Sequence, residues 1–497
     1  MILNFTQKLQ KRLLQKSLLS VSLSTALTFM TITVKAQETT KWPDLPLLNI
    51  ETVDHVMPTA TRVDPPEGCW APSVVSEHVS GRLVITEKDN IVYNSGDYEK
   101  GESGIRIKIR GNGSALYFQQ KPYKLKLSKK ADLFNLDKSY KSKDWALLGM
   151  AGASKVMPDN EINLLINMGH AVCRALDFPW TPTVRFVNVV LNGKYVGIYN
   201  LIETIERADN RVVTGKSGFL IENDAYWWKE GDHYFKTDRQ IYPMGYTFKY
   251  PDEPDEEQIA PIREYMNTVE KAVFARDNVA DYIDYESFAR WILAHDILGT
   301  TDAGGSNMYL YKEMLNEEEP SDSKLKMATP WDFDTVFQAE NNKWSNIHND
   351  VVFFYPELFK DKKFVDVYKE LFNKYRYIVY DKVSAYFSHL QEECGEAFDE
   401  SRLLHQKVYP SQCLNPIGVQ IDGILSQLNA RLVSLDAMVD AMHGVEDCVG
   451  NVGMGNARLL KRTNLYGVDF TDIKWGNLQS GIYVEKYSDG QAKKVIK

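Results

Sequence analysis

The chain of 497 residues has only five cysteines, and none of them stands in a C-x-x-C pair. That spacing underlies zinc ribbons and thioredoxin-like redox motifs, so neither organises this sequence. A basic balance is missing too: 58 Lys and Arg stand against 67 Asp and Glu, a net charge of −9. This excludes a general nucleic-acid binder, which needs a basic surface, but leaves room for a local basic patch. Beyond the first 36 residues no apolar run is long enough to span a bilayer, and no internal repeat is visible. A Ser-His-Asp set is not legible, because a triad is defined by geometry rather than spacing. "TGKSG" at 214–218 lacks the upstream glycine and the buried strand of a phosphate loop.

What is present starts with an export signature. Lys8, Lys11, Arg12 and Lys16 precede an apolar stretch that ends in Val34-Lys35-Ala36, an A-x-A-like cleavage site. Residues 1–36 therefore read as a signal peptide, with a mature chain from Gln37 that is periplasmic, cell-surface or secreted and has no transmembrane segment after cleavage. In an oxidising compartment Cys394 and Cys413 are the cheapest pair, closing a short loop. Cys173 falls on the apolar face of an expected helix and reads as inert core.

Residues 37–82, rich in Pro and turn formers, read as an N-terminal extension. From residue 83 the pattern is that of strands: "GIRIKIRG" alternates Ile105, Ile107 and Ile109 with Arg106, Lys108 and Arg110, and "KPYKLKLSKK" repeats the alternation. A helix is expected over 158–176, then a hairpin, "VRFVNVVLNGKYVGIYNLIE", turned at Asn192-Gly193 by a type I′ turn. Beyond Glu206 helical periods dominate, at 256–275, 284–299, 364–392 and 417–442, interrupted by two strand-like runs, "NMYLYKE" and "KLKMATPWDFD". The fold class expected is α+β, with a β-rich lobe at 83–205 and a mainly helical lobe at 206–445. The tail at 446–497 reads as a flexible linker followed by a hairpin.

"TPWDFDTVFQ" places Asp332 and Asp334 among Trp331, Phe333, Val336 and Phe337, where an unpaired charge costs several kcal/mol. A metal ion is one reason to accept that cost. Upstream, "TTDAGGSNMYLY" offers Asp302 and, five residues later, Asn307 at the start of a strand-like run. Acid, loop, amide, strand, turn, strand, acid is the order in which a protein kinase presents its catalytic Asp, its metal-binding Asn and its second metal-binding Asp. Taken alone, Asp302 and Asn307 read as loop formers. The His295-Asp296 pair reads as core.

Five ordered segments, "IRGNGSALYFQQKPYKLKL", "KDWALLGM", "LNGKYVGIYNLIETIE", "TTDAGGSNMYLY" and "PWDFD", closely resemble the signature segments of the CotH family, the spore coat protein H-like atypical protein kinases. The resemblance covers about residues 83 to 340. It implies a bilobal atypical protein-kinase-like fold that binds ATP with magnesium and phosphorylates Ser or Thr of protein substrates. Carried over, Asp302 is the catalytic acid near the acceptor hydroxyl, Asn307 and Asp332 are metal ligands, and Asp334 is a second or supporting ligand. Arg110, Lys124 and Lys126 supply positive charge to the phosphates, and Leu201, Ile202 and Glu203 form the hinge beside the adenine. "NLQSGIYVEKYSDGQAKKVIK" resembles the C-terminal sorting segments read by an outer-surface export machinery, the type IX route.

Two other readings fit the same residues. One is a non-catalytic surface-assembly or adhesin module on this scaffold, with Trp227-Trp228 as a glycan contact. The other is a metal-dependent hydrolase using the same acids.

Overall fold

Alternation of apolar and polar residues builds one large sheet in the first half of the chain. The computed structural model describes residues 42–442, apart from 70–71, 138–139, 150–163, 240–243, 317–322, 340–342, 346–353 and 412–413, together with 459–464, 471, 482–487 and 492–496. In chain order come β1 (Leu47–Thr52), a ribbon of β2 (Thr61–Val63) and β3 (Ser73–Val75), then β4 (Val79–Glu87), β5 (Asn90–Asn94) and β6 (Ile105–Ile109). A short helix, α1 (Gly113–Tyr117), leads to β7 (Tyr123–Ala131) and β8 (Ser142–Gly149). Helix α2 (Leu165–Ala175) precedes the hairpin of β9 (Val184–Leu191) and β10 (Lys194–Glu203).

The spatial order is β1-β9-β10-β8-β7-β6-β4-β5, and β1 also pairs with β4, so the sheet curls into a barrel. The segment read as an extension thus supplies the strand that closes it. Leu48, Ile50, Leu83, Ile105, Ile107, Leu125 and Trp145 fill the interior at no measurable exposure. The alternate residues of β6 and β7 face outward, with Arg106 opposite Lys126 and Lys108 opposite Lys124. The expected hairpin is formed, with Asn192 and Gly193 at φ 51 and 73, the positive values a type I′ turn requires.

The second half begins with β11 (Phe219–Asp224), β12 (Tyr234–Phe235) and β13 (Gly245–Tyr250). Helices α3 (Glu256–Ala275), α4 (Val279–Tyr282) and α5 (Tyr285–Leu298) follow, then β14 (Met308–Lys312) and β15 (Lys326–Met327). These strands form a second sheet in the order β12-β13-β11-β14-β15. Helices α6 (Tyr355–Leu358), α7 (Lys362–Tyr375), α8 (Ile378–Val408) and α9 (Ile417–Asp440) complete this half, and the fold class is α+β as expected. The helix expected over 364–392 is instead two: the chain breaks at Arg376-Tyr377, where Arg376 pairs with Asp436 of α9. The final strands, β16 (Leu459–Asn464), β17 (Ile482–Tyr487) and β18 (Ala492–Ile496), make a small antiparallel sheet.

Helix α8 locks the barrel to the helices. Ile198 donates its backbone N–H to His405 Nδ1 at 3.1 Å, and Asn188 Nδ2 donates to Ser401 Oγ at 3.0 Å. Gly197 permits this approach, because a Cβ there would lie 2.7 Å from the His405 ring.

Cys394 is a free thiol whose Sγ donates to the Leu390 carbonyl, which replaces the expected pairing; Cys413 lies outside the described residues, as do residues 1–36. Cys173 is buried, and burial pushes its thiol up to about 12, as inert core requires. No helix among the described residues is long and apolar enough to cross a membrane.

Candidate active site

Two loops meet beside the end of β6. The first follows α5, which Asp284 caps by accepting from Ser287 N–H and which ends at Gly299 in the left-handed region, φ 59. His295 and Asp296, near its end, are core as read: Asp296 accepts from Ser345 Oγ and Tyr368 OH, both at 2.7 Å, and His295 Nδ1 lies 3.0 Å from Thr300 Oγ1. The second loop, 328–338, returns alongside. Phe337 donates its N–H to Leu298 O at 2.7 Å, and Thr335 Oγ1 accepts from the N–H of Asp302 at 3.2 Å.

The aromatic residues between the acids fix the second loop. Phe333 is fully buried, edge-on to His170 at 4.9 Å, and packs so tightly on α2 that a Cβ on Gly169 would lie 2.1 Å from its ring. Trp331 is held in an apolar cluster with Ala146, Ile202 and Leu220, and the Arg110 guanidinium lies 5.5 Å from its ring centroid. Asp332 and Asp334 are thereby placed on one side of the loop and Phe333 on the other.

The acids then face one cavity of about 450 Å³, within the range that holds a small ligand. Asp302, Asn307, Asp332, Asp334 and Arg110 all line it. Asn307 Nδ2 donates to Asp332 Oδ2 at 3.3 Å, bridging the two loops. Burial, and then the Asp332 charge, raise the Asp302 carboxyl to about 6. The Asp332 charge, and then burial, raise Asp334 to about 8. Asp332 itself is raised by burial and opposed by Arg110. Two half-buried carboxylates with one guanidinium near them form a donor set short of positive charge.

Sequence reasoning missed the opposite wall. "FLIEND" is strand β11, all six residues buried, and its Glu222 and Asp224 reach the cavity. Glu222 accepts the Asn307 N–H at 2.9 Å and pairs with Lys249 at 3.0 Å. This holds Asn307 in the left-handed conformation, φ 62, which asparagine tolerates better than most residues. Asp224 accepts from Tyr226 N–H at 2.8 Å and Ser306 Oγ at 3.3 Å, and burial raises it to about 7. Lys108, Lys229 and the loop 111–114 also line the cavity. The one available signal was the motif itself, two acids inside an apolar strand.

The remaining expected residues lie elsewhere. Lys124 pairs with Asp144 at 3.0 Å, and Lys126 stands on the outer face of β7; neither lines the cavity. Leu201 points into the barrel, Ile202 packs beside Trp331, and Glu203 accepts the Thr183 N–H at 3.0 Å and lies 3.6 Å from Arg211. Trp227 is packed on Gly245 and Tyr234 with the Lys236 ammonium 3.8 Å from its ring centroid, so it is engaged within the protein.

No three His, Cys, Asp or Glu side chains among the described residues converge as an all-protein metal cage. Magnesium does not ask for one: it takes one or two carboxylates and completes its octahedron with substrate phosphates and water. The hard oxygen donors of Asp332, Asp334 and Asn307, and their shortage of positive charge, fit that ion.

Residues 107–409 match the family model described as CotH kinase protein, about three fifths of the chain. No curated protein matches the sequence.

Proposed function

The chain belongs to the CotH kinase family, and from that membership we propose that it is an atypical Ser/Thr protein kinase using ATP and magnesium. One observation carries the reading: the Asn307–Asp332 bond joins two loops in a cavity that Asp302 and Arg110 also line. On this reading the barrel-like sheet, whose strands run from Leu47 to Glu203 and so begin before the expected boundary at 83, is the N-terminal lobe, and 206–445 is the C-terminal lobe of a bilobal kinase-like fold.

Asp302 accepts the proton of a Ser or Thr hydroxyl. With a carboxyl raised to about 6 it is ionised at neutral pH and basic enough for the task. The hydroxyl oxygen forms a bond to the γ-phosphorus, the bond to the bridging β-oxygen breaks, and ADP leaves. Arg110, held over Trp331, faces the transferred charge. Asn307 and Asp332 would hold magnesium, with Asp334 as the further oxygen ligand, and the ion would supply positive charge to the phosphates. Glu222 keeps the Asn307 backbone where its carboxamide meets Asp332.

Export belongs to the same proposal: removal of 1–36 would release a chain starting at Gln37, and the segment 446–497 would be read by an outer-surface export machinery. Mass spectrometry of the mature N-terminus tests the first point. The kinase reading is tested by incorporation of γ-labelled phosphate into protein. Transfer is expected for the native chain and should vanish in Asp302→Asn while the melting temperature is kept. Equal transfer by both chains overturns the assignment of Asp302; release of free phosphate with none on protein favours a hydrolase.

A further inference from the structure

Strands β6 and β7 carry an arrangement that costs stability and is only partly compensated among the described residues. Their outward residues oppose each other directly, Arg106 against Lys126 and Lys108 against Lys124. Like charges at facing positions of an antiparallel pair are destabilising. Of the four, Lys124 has Asp144 at 3.0 Å, while Arg106, Lys108 and Lys126 have no carboxylate within ion-pair distance among the described residues.

The stripe is dense enough to act on its neighbours. His78, beside it, is pushed down to about 4 by burial and then by Lys108, Arg106, Lys124 and Lys126 in turn. Lys108 is itself pulled down by burial and by Lys124, with Glu230 and Glu77 only opposing. This occurs in a chain whose net charge is −9.

Position gives the stripe a use. Lys108 and Arg110 line the cavity wall, and Arg106, two residues back on the same face, lies outside it, with Lys126 opposite. The row therefore begins at the candidate active site and runs away from it along the sheet. An extended chain with one residue at Asp302 could lay its neighbours along this row at the strand's own spacing of ~3.4 Å per residue.

We propose that the outer face of β6 and β7 is a docking surface for an acidic polypeptide, and that the protein's acceptors carry Asp, Glu or phosphorylated residues flanking the hydroxyl. The acceptor role rests on the kinase reading; the docking surface stands on the geometry alone. Residues Arg106 and Lys126 recognise charge and touch no reacting atom.

The experiment measures fluorescence anisotropy of a labelled Glu/Gly peptide and of a Lys/Gly peptide with the full chain, alongside its thermal shift with magnesium-ATP. The acidic peptide is expected to bind with an affinity that falls steeply with salt, and the basic peptide not to bind. Arg106→Glu should weaken the acidic peptide about five- to tenfold and gain the basic one. Arg106→Gln and Lys126→Gln should weaken it less while raising the melting temperature slightly, since each removes a repulsion. A purely structural role would not couple lost binding to gained stability. The proposal is overturned if Arg106→Glu and Lys126→Gln, both folded, bind the acidic peptide like the native chain, or if heparin competes no differently against any of the variants. Peptide binding without any magnesium-ATP shift keeps the surface and removes the kinase reading.

Discussion

Phe219–Asp224 and the segment 330–334 each place two acids one residue apart among buried apolar side chains, and they differ in the positive charge set directly beside the first acid. In the strand, Glu222 has Lys249 and the Asn307 N–H, and Asp224 has Tyr226 N–H and Ser306. In the loop, Asp332 has the Asn307 carboxamide at 3.3 Å, backbone N–H groups of Phe333 and Asp334 and a guanidinium nearby, and Asp334 feels chiefly the charge of Asp332. On the proposed reading, a carboxylate whose partners are all in the protein supports structure, and one left short of positive charge is prepared for a cation that arrives with substrate. On that reading the same pattern of two acids one residue apart serves two ends, and the partners separate them.

If that division is right, removing a loop acid removes chemistry while sparing the fold. Asp332→Ala should lower phosphate transfer by about a thousandfold or more, judged against losses on removing one electrostatic contact to a transition state, with far-UV circular dichroism unchanged. Unfolding instead of simple inactivity would place Asp332 with the strand acids.

The next largest effect falls on the loop's foundation. Gly169→Ala drives a Cβ into the Phe333 ring, and overpacking of this kind costs about 3 kcal/mol, read as a lower melting temperature. Transfer should fall as well, because Asp332 and Asp334 flank the displaced ring.

Strand acids should show the reverse balance. Glu222→Ala leaves Lys249 and the Asn307 N–H without their partner and is expected to cost on the order of 2 kcal/mol. Transfer should drop by less than in Asp332→Ala, and Glu222→Gln, which keeps an acceptor for the N–H, should restore part of both.

How far these roles were legible depends on the partners' distance. "PWDFD" stood out because acids in an apolar frame lack any neighbour to pair with, and the spacing to Asp302 and Asn307 suggested the rest. "FLIEND" carried the same signal, but all six of its residues are buried, so no alternation marks a face, and its partner Asn307 lies 85 positions away. The hairpin and the helices at 256–275 and 417–440 were written in local turn chemistry and period. Barrel closure by β1 was not, since it depends on pairing with β4 and with β9 far along the chain.

The smallest effect uses a buried acid outside the cavity. Glu270 of α3 accepts from Thr237 Oγ1 at 2.9 Å, and burial raises it to about 7 from 4.5. A raised carboxyl contributes stability that is present below its unfolded value and lost as pH climbs toward the folded one. Stability should therefore fall by on the order of 2 kcal/mol between pH 5 and 8, and Glu270→Gln should flatten that slope. An unchanged slope in denaturant melts would show that burial does not govern this acid.

The central claim is that the loop acids await a cation delivered with a nucleotide. Isothermal titration of the native chain with ATP, in magnesium and then in excess chelator, tests it most directly. Saturable binding that needs magnesium, and that disappears in Asp332→Ala, is the result expected; binding indifferent to magnesium, or no heat across a millimolar range, would contradict it.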